Sequence, residues 1–183
     1  MINAKESGFT LVELMITLVV VSILLAAAVP YLGDFTKNNR LISQTNDFMI
    51  AVQLARSEAV KRGTNTILCP SSNQTSCSAD ASDWQNGWLV FSDFNVNGSL
   101  EPGASAPLCE ETEDCLIRTS SGLTHNNTLT TTANLLRFLP TGMASNGGIV
   151  DFTIISDDCR IDQARNVRVT TQGHTIVSTQ TCP

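Results

Sequence analysis

Between Phe9 and Val29 the sequence is an almost unbroken apolar run, interrupted in polarity only by Thr10, Glu13, Thr17 and Ser22. As a helix this stretch would be about 31 Å long, roughly one hydrocarbon thickness. The segment before it, residues 1–8, is polar and carries Lys5 as its cation. A secretory signal peptide has a shorter apolar region, about 7–15 residues, followed by a small-residue cleavage site. Here the run is longer, and Ala26-Ala27-Ala28 is the one stretch resembling such a site. A retained membrane helix over residues 9–29 is therefore expected. Lys5 on one side and Lys37 with Arg40 on the other leave the positive-inside rule indecisive.

Glu13 is the costly residue in this run. An ionisable group at membrane depth calls for a partner, and no Lys, Arg or His lies within residues 9–29. The partner must come from elsewhere, or the carboxyl must stay protonated or snorkel to the interface. A cut between Gly8 and Phe9 would create an α-amino group about one helical turn from Glu13. Between parallel chains shifted by a turn, the two charges would meet.

The heptad Gly8-Phe9-Thr10-Leu11-Val12-Glu13-Leu14 resembles the processing site of type IV prepilins and type II secretion pseudopilins. The resemblance implies cleavage after Gly8 by a prepilin peptidase, methylation of the new N-terminal Phe9, and a role for Glu13 in docking onto a neighbouring subunit. It also implies a long helix followed by a periplasmic domain.

Beyond Pro30, which should kink or briefly break the helix, apolar residues recur at Leu41, Ile42, Phe48, Met49, Val52, Ala55, Ala59 and Val60. Steps of three, four and seven mark one helical face. Asn38, Arg40, Gln44, Asp47, Gln53, Arg56 and Lys61 mostly fill the others. Lys61-Arg62 followed by Gly63 is a C-terminal stop. One helix from about Phe9 to Arg62 is predicted. Strand patterns follow at residues 66–69, 88–91, 116–118, 135–138, 150–155, 167–170 and 175–178, bounded by Gly, Asn, Asp or Pro. Gln172-Gly173 reads as a hairpin turn. The predicted fold class is α+β, of the type IV pilin kind: a long N-terminal helix packed on a mainly antiparallel sheet domain. Its parts are a leader over 1–8, a membrane half-helix over 9–29, an amphipathic half-helix over 30–62 and a periplasmic β-rich domain over 63–183.

Three later segments, residues 54–62, Gly87-Trp88-Leu89-Val90-Phe91-Ser92-Asp93 and Phe138-Leu139-Pro140-Thr141-Gly142, are similar to the GspH/FimT family of minor pseudopilins and minor pilins. Arg56 and Glu58 in the first of these also read as part of a solvated helix face.

Six cysteines suit a domain outside the inner membrane, where disulfides persist. Six allow 15 connectivities; the spacing suggests Cys69–Cys77, Cys109–Cys115 and Cys159–Cys182. No C-x-x-C occurs, and neither His125 nor His174 neighbours a cysteine pair, so zinc is not expected. The run from Asp93 to Glu101 resembles the opening of a calcium loop, D-x-[DN]-x-[DN]-G. Position 12 of that pattern is Ala104 where Glu belongs, and no helical pattern follows. An Asn- and Gly-rich hairpin loop accounts for the same residues, so neither metal nor cofactor is expected. The acidic run over residues 109–115 reads as an exposed tip. No nucleophile elbow, phosphate loop or H-E-x-x-H is present, and an enzyme is not expected.

Some minor pilins of the resembled family capture DNA, and phosphate recognition needs clustered cations. Arg160, Arg165 and Arg168 are the candidate contacts here. The net charge is −6, and Gly173-His174-Thr175-Ile176 stands where the DNA-binding members carry G-R-x-R, with both arginines missing. DNA is therefore not favoured. The reading adopted is a minor type IV pilin, anchored in the inner membrane with a periplasmic domain and then assembled near the tip of a cell-surface pilus. It would prime fibre assembly with other major and minor pilins as its partners. A minor pseudopilin of a type II secretion system stands second.

Overall fold

The computed structural model describes residues 8–101, 113–160 and 163–182, apart from the side chains of 27–32. The chain divides into two units, Met1–Asn39 and Arg40–Pro183. A single helix, α1 (Leu11–Arg62), contributes to both. Its start is set by Thr10, whose Oγ1 accepts the Glu13 N–H at 3.3 Å while its carbonyl accepts the Leu14 N–H at 3.2 Å. A threonine so placed is a good N-cap. At the other end Gly63 takes φ 67° and its N–H returns to the Ala59 carbonyl at 3.0 Å. A side-chain-free residue in this left-handed conformation closes the helix at little cost. The backbone stays helical through position 30, so the break expected at Pro30 does not occur.

Eight strands follow: β1 (Asn65–Pro70), β2 (Gly87–Asp93), β3 (Cys115–Ser121), β4 (Thr128–Thr130), β5 (Leu136–Phe138), β6 (Val150–Ile155), β7 (Ala164–Val169) and β8 (Thr175–Gln180). They form two four-stranded sheets, ordered β3-β2-β1-β5 and β4-β6-β7-β8, with every pairing antiparallel. The seven expected strands are all present. The short β4 and the 3₁₀ helix Ala81–Asn86 have no counterpart among the sequence patterns.

The C-terminal stretch of α1 supplies the core. Leu41, Phe48, Ala51, Val52, Ala55 and Ala59 are buried, and they share one cluster with residues from both sheets, among them Leu68, Val90, Phe138, Phe152, Ile154 and Val167. Phe48 is the centre of an aromatic group. Its ring lies 4.8 Å from Phe152, 5.3 Å from Trp88 and 5.8 Å from Trp84, the tryptophans edge-on. These separations suit the ring quadrupoles. Ile42 and Val60, read as members of the apolar face, are exposed instead. Each sits one residue from a buried position, and that step turns it about 100° away from the core. Gln44 moves the other way. It is buried and bonded to Thr124 and Asn127, its Oε1 accepting from Asn127 Nδ2 at 2.6 Å. A second, smaller cluster of Ile67, Cys69, Leu89 and Phe91 covers the opposite face of the first sheet. This explains why β1 and β2 read as continuous apolar runs while β6 alternates.

Arg56 is not simply solvated. Its Nε donates to the Gly142 carbonyl at 3.0 Å and its Nη2 to the Gln172 carbonyl at 3.2 Å. One guanidinium thus ties α1 to two turns that are distant in sequence. Both turns depend on glycine. Gly142 has φ 78° and Gly173 has φ 77°. A Cβ at Gly173 would lie 2.2 Å from the Gly142 carbonyl oxygen and 2.9 Å from Arg56 Nε. The β7–β8 turn is closed by Gly173 N–H to the Thr170 carbonyl at 2.8 Å, then by Thr170 N–H to the His174 carbonyl at 2.9 Å. The family-like segments around Arg56 and Gly142 therefore meet in space, with the Gln172-Gly173 turn as their third partner.

Two substitutions probe this arrangement in chemical denaturation of the purified protein. Phe48→Ala is expected to cost about 3–5 kcal/mol, the range for emptying a large aromatic site. Gly173→Ala combines a steric overlap with an unfavourable backbone, and is expected to cost more than about 2 kcal/mol. Equal stability of wild type and Gly173→Ala would show that the turn relaxes freely.

Candidate functional site

Every large apolar side chain from Leu11 to Leu25 is exposed, and Phe9 is 85 % exposed. The polar residues of this stretch divide into two kinds. Thr17 Oγ1 donates to the Leu14 carbonyl at 2.8 Å, and Ser22 Oγ donates to the Val19 carbonyl at 2.7 Å. Such back-bonding lets a hydroxyl sit in an apolar setting without an outside partner. Glu13 has no equivalent: its described hydrogen bond is a backbone one, the N–H to Thr10. A carboxylate surrounded by exposed apolar side chains is the group in this helix that must look outside the chain for satisfaction. Phe9 and Gly8 precede the cap, and a Cβ built on Gly8 meets nothing within 4 Å. The expected cleavage position at Gly8 thus lies outside the helix. The rest of the expected leader, residues 1–7 with Lys5, falls outside the described residues. Among the described residues no helix is long and apolar enough to cross a membrane; the described side chains of this stretch stop at Ala26.

The three candidate DNA contacts are not gathered into one patch. Arg165 pairs across β6 with Ile154, and Arg168 pairs with Asp151. Three residues apart on a strand, the two arginines project from opposite faces. Arg165 shares the side of Val167 and Val169, while Arg168 lies on the other. Arg168 is engaged in a two-pronged ion pair, Nε to Asp151 Oδ1 at 2.8 Å and Nη2 to Oδ2 at 3.2 Å. The Asp151 carboxylate, through its hydrogen bonds and charge, raises the Arg168 pKa above its ordinary value. A phosphate would have to compete with that carboxylate. Arg160 sits in the loop after β6 and is exposed. His125 and His174 are exposed turn residues.

Glu58 is drawn into an ion pair at the end of α1, its Oε2 accepting from Arg62 Nε at 2.6 Å, with Lys61 Nζ 3.5 Å from Oε1. Partial burial pushes its carboxyl up, but the Arg62 hydrogen bond and charge, with Lys61 behind them, outweigh this and leave it below the ordinary value.

Cysteine pairs join Cys69 to Cys77 and Cys159 to Cys182. Cys115 is also disulfide-bonded, and Cys109, its expected partner, lies outside the described residues. In the acidic run, Asp114 contradicts the reading of an exposed tip: it is buried, because its Oδ1 accepts the Phe94 N–H at 2.9 Å against the base of the neighbouring loop. Among the described residues no three His, Cys, Asp or Glu side chains gather into a metal-binding cluster.

Two family patterns match the chain. Residues 3–29 match the prokaryotic N-terminal methylation motif, and residues 44–173 match type II transport protein GspH. No curated protein matches the chain. Among solved structures, the chain is similar to the type IV minor pilin FimU of Pseudomonas aeruginosa in two crystal forms. One is 20 % identical with a TM-score of 0.56, covering 81 % of this chain and 99 % of FimU. The other is 18 % identical with a TM-score of 0.52, covering 77 % and 98 %. At this identity the likeness carries the fold: an N-terminal helix on antiparallel sheet. The long family match, the methylation motif that overlaps Glu13 and the pilin-like fold agree, and the chain belongs to the GspH family of type IV minor pilins and pseudopilins, structural subunits and not enzymes.

Proposed function

We propose that this chain is a minor type IV pilin that enters the fibre at or near its tip and primes assembly. On this reading a prepilin peptidase cuts after Gly8 and methylates Phe9. Residues 9–29 hold the subunit in the inner membrane and residues 63–183 form its periplasmic domain until it passes into a surface fibre. Other major and minor pilins are its partners. The observation that carries the proposal is Glu13: among the described residues it is a carboxylate without an internal side-chain partner, one turn into an apolar helix that exposes all of its faces. The N-terminal amine of a processed neighbour is a cation at the matching depth. Meeting it there would satisfy both groups, and would make the contact selective for correctly shifted, processed subunits.

Assignment to a pilus is supported by the similarity in fold to a type IV minor pilin. The second reading, a minor pseudopilin of a type II secretion system, is favoured by the family description itself. Capture of DNA is a third and weaker reading, since Arg165 and Arg168 face opposite ways and Arg168 is held by Asp151.

Mass spectrometry of sheared surface fibres, set against the membrane fraction of the same cells, separates these outcomes. A peptide beginning at methylated Phe9 in sheared fibres is the expected result. The same peptide confined to membranes would move the assignment to the secretion machine, and an intact leader in both fractions would overturn the pilin reading. Glu13→Val is expected to be processed normally yet be lost from fibres; a variant that assembles at wild-type levels would refute the pairing. For DNA, column retention of the detergent-solubilised protein at low salt, where phosphate contacts are strongest, is expected to be nil.

A further inference from the structure

The loop after β2 begins Asp93-Phe94-Asn95-Val96-Asn97-Gly98-Ser99-Leu100-Glu101. We propose that this loop, together with Asp114 at the entrance to β3, is a calcium site. In the sequence, Ala104 stands at position 12, where a helix-flanked calcium loop carries its closing carboxylate. The fold supplies a carboxylate from another direction. Ser92 pairs with Cys115 across β2 and β3. Asp93 follows the first of these residues and Asp114 precedes the second, which brings both acids to the same end of the hairpin.

The two carboxylates are the reason for the assignment. Asp93 is 0 % exposed and Asp114 is 3 % exposed. Each has one oxygen occupied by a loop N–H: Asp93 Oδ2 accepts from Gly98 at 3.1 Å, and Asp114 Oδ1 from Phe94 at 2.9 Å. The remaining oxygens, Asp93 Oδ1 and Asp114 Oδ2, are buried and have no hydrogen-bond partner among the described residues. Buried unpaired carboxylate oxygens are expensive, and a bound ion is one of the few things that explains them. Arg137 does not fill the deficit: its Nη2 stands 3.7 Å from Asp93 Oδ2, on the oxygen already bonded.

The loop is also shaped as such a ligand set requires. Positions 1, 3 and 5 are Asp93, Asn95 and Asn97, and position 6 is Gly98 at φ 82°. Asn95 Oδ1 accepts the Asn97 N–H at 3.0 Å, and Asn97 Oδ1 accepts the Ser99 N–H at 2.8 Å. Each is a tight side-chain-to-backbone turn within the loop. Glu101 stands at position 9, a position that commonly acts through water, and its Oε1 accepts from both Asn95 and Asn97 amides. Two carboxylates with neutral amide oxygens beside them suit the hard, oxygen-preferring calcium ion, whereas magnesium demands tighter octahedral geometry. With neutral Asn at two positions, the affinity expected is that of extracellular modules, a Kd of about 10⁻⁴–10⁻³ M.

The test is calcium titration calorimetry on the full chain in detergent, with magnesium as the control ion. Wild type is expected to bind one calcium, saturably and in preference to magnesium. The double variant Asn95→Ala/Asn97→Ala changes exposed side chains and should stay folded, so circular dichroism accompanies it. Its affinity is expected to fall at least about ten-fold. Asp114→Asn is the second probe and should also lose binding. Absence of saturable calcium binding by the folded wild type would overturn the site. So would wild-type affinity in the folded double variant, since the ion would then lie elsewhere. Neither result bears on processing at Gly8 or on Glu13.

Discussion

Phe48 is the residue around which this domain closes. Its ring touches the second sheet through Phe152, the first sheet through Trp88 and the 3₁₀ helix through Trp84. Two four-stranded sheets with short strands have little reason to stay together by themselves, because each has one face that must be covered. The helical stripe of Leu41, Phe48, Val52, Ala55 and Ala59 covers both at once. The small residues matter as much as the large one. Ala51, Ala55 and Ala59 are buried in the same cluster as the aromatic group around Phe48.

The same helix obeys a different rule at its other end. From Leu11 to Leu25 apolar side chains are exposed in every direction, and the hydroxyls of Thr17 and Ser22 are folded back onto the helix. Nothing in that design calls for a sheet. It suits an apolar solvent or other copies of the same helix, and on the proposed function Glu13 would select between neighbours where apolar surface alone would accept any of them. One half of the helix therefore makes the fold, while the other leaves its apolar side chains exposed.

Much of this was legible because it rests on local chemistry. The stop at Gly63 follows from short-range hydrogen bonding, and the strand runs follow from β-branched residues between turn formers; the helix start, expected at about Phe9, is set instead by the Thr10 cap. What was not legible depends on long-range register. β4 is only three residues long, and it exists because β6 offers it an edge. Trp84 sits in a 3₁₀ turn that only the finished core positions. Arg56 looked like a solvated cation because its acceptors are carbonyls 86 and 116 residues away. Asp114 looked like part of an acidic tip because nothing local reveals that Phe94 lies above it. The N-terminal motif shows the opposite balance: it is read from the sequence over residues 3–29, while the roles proposed for Gly8, Phe9 and Glu13 depend on partners outside the chain.

The bond between Cys159 and Cys182 has a topological consequence. Among the described residues β8 lies at the rim of its sheet, pairs with β7, and presents Ile176 and Val177 outward. A terminal strand of this kind is ordinarily the piece a protein trades with its neighbour when copies are crowded together. Here the bridge closes β7 and β8 into a covalent ring, so the strand has no loose end to lend. On the proposed location outside the inner membrane, where disulfides persist, this bridge would stay closed. In the assembly proposed above, crowded subunits would thereby be steered toward contacts between helices and away from entanglement of domains.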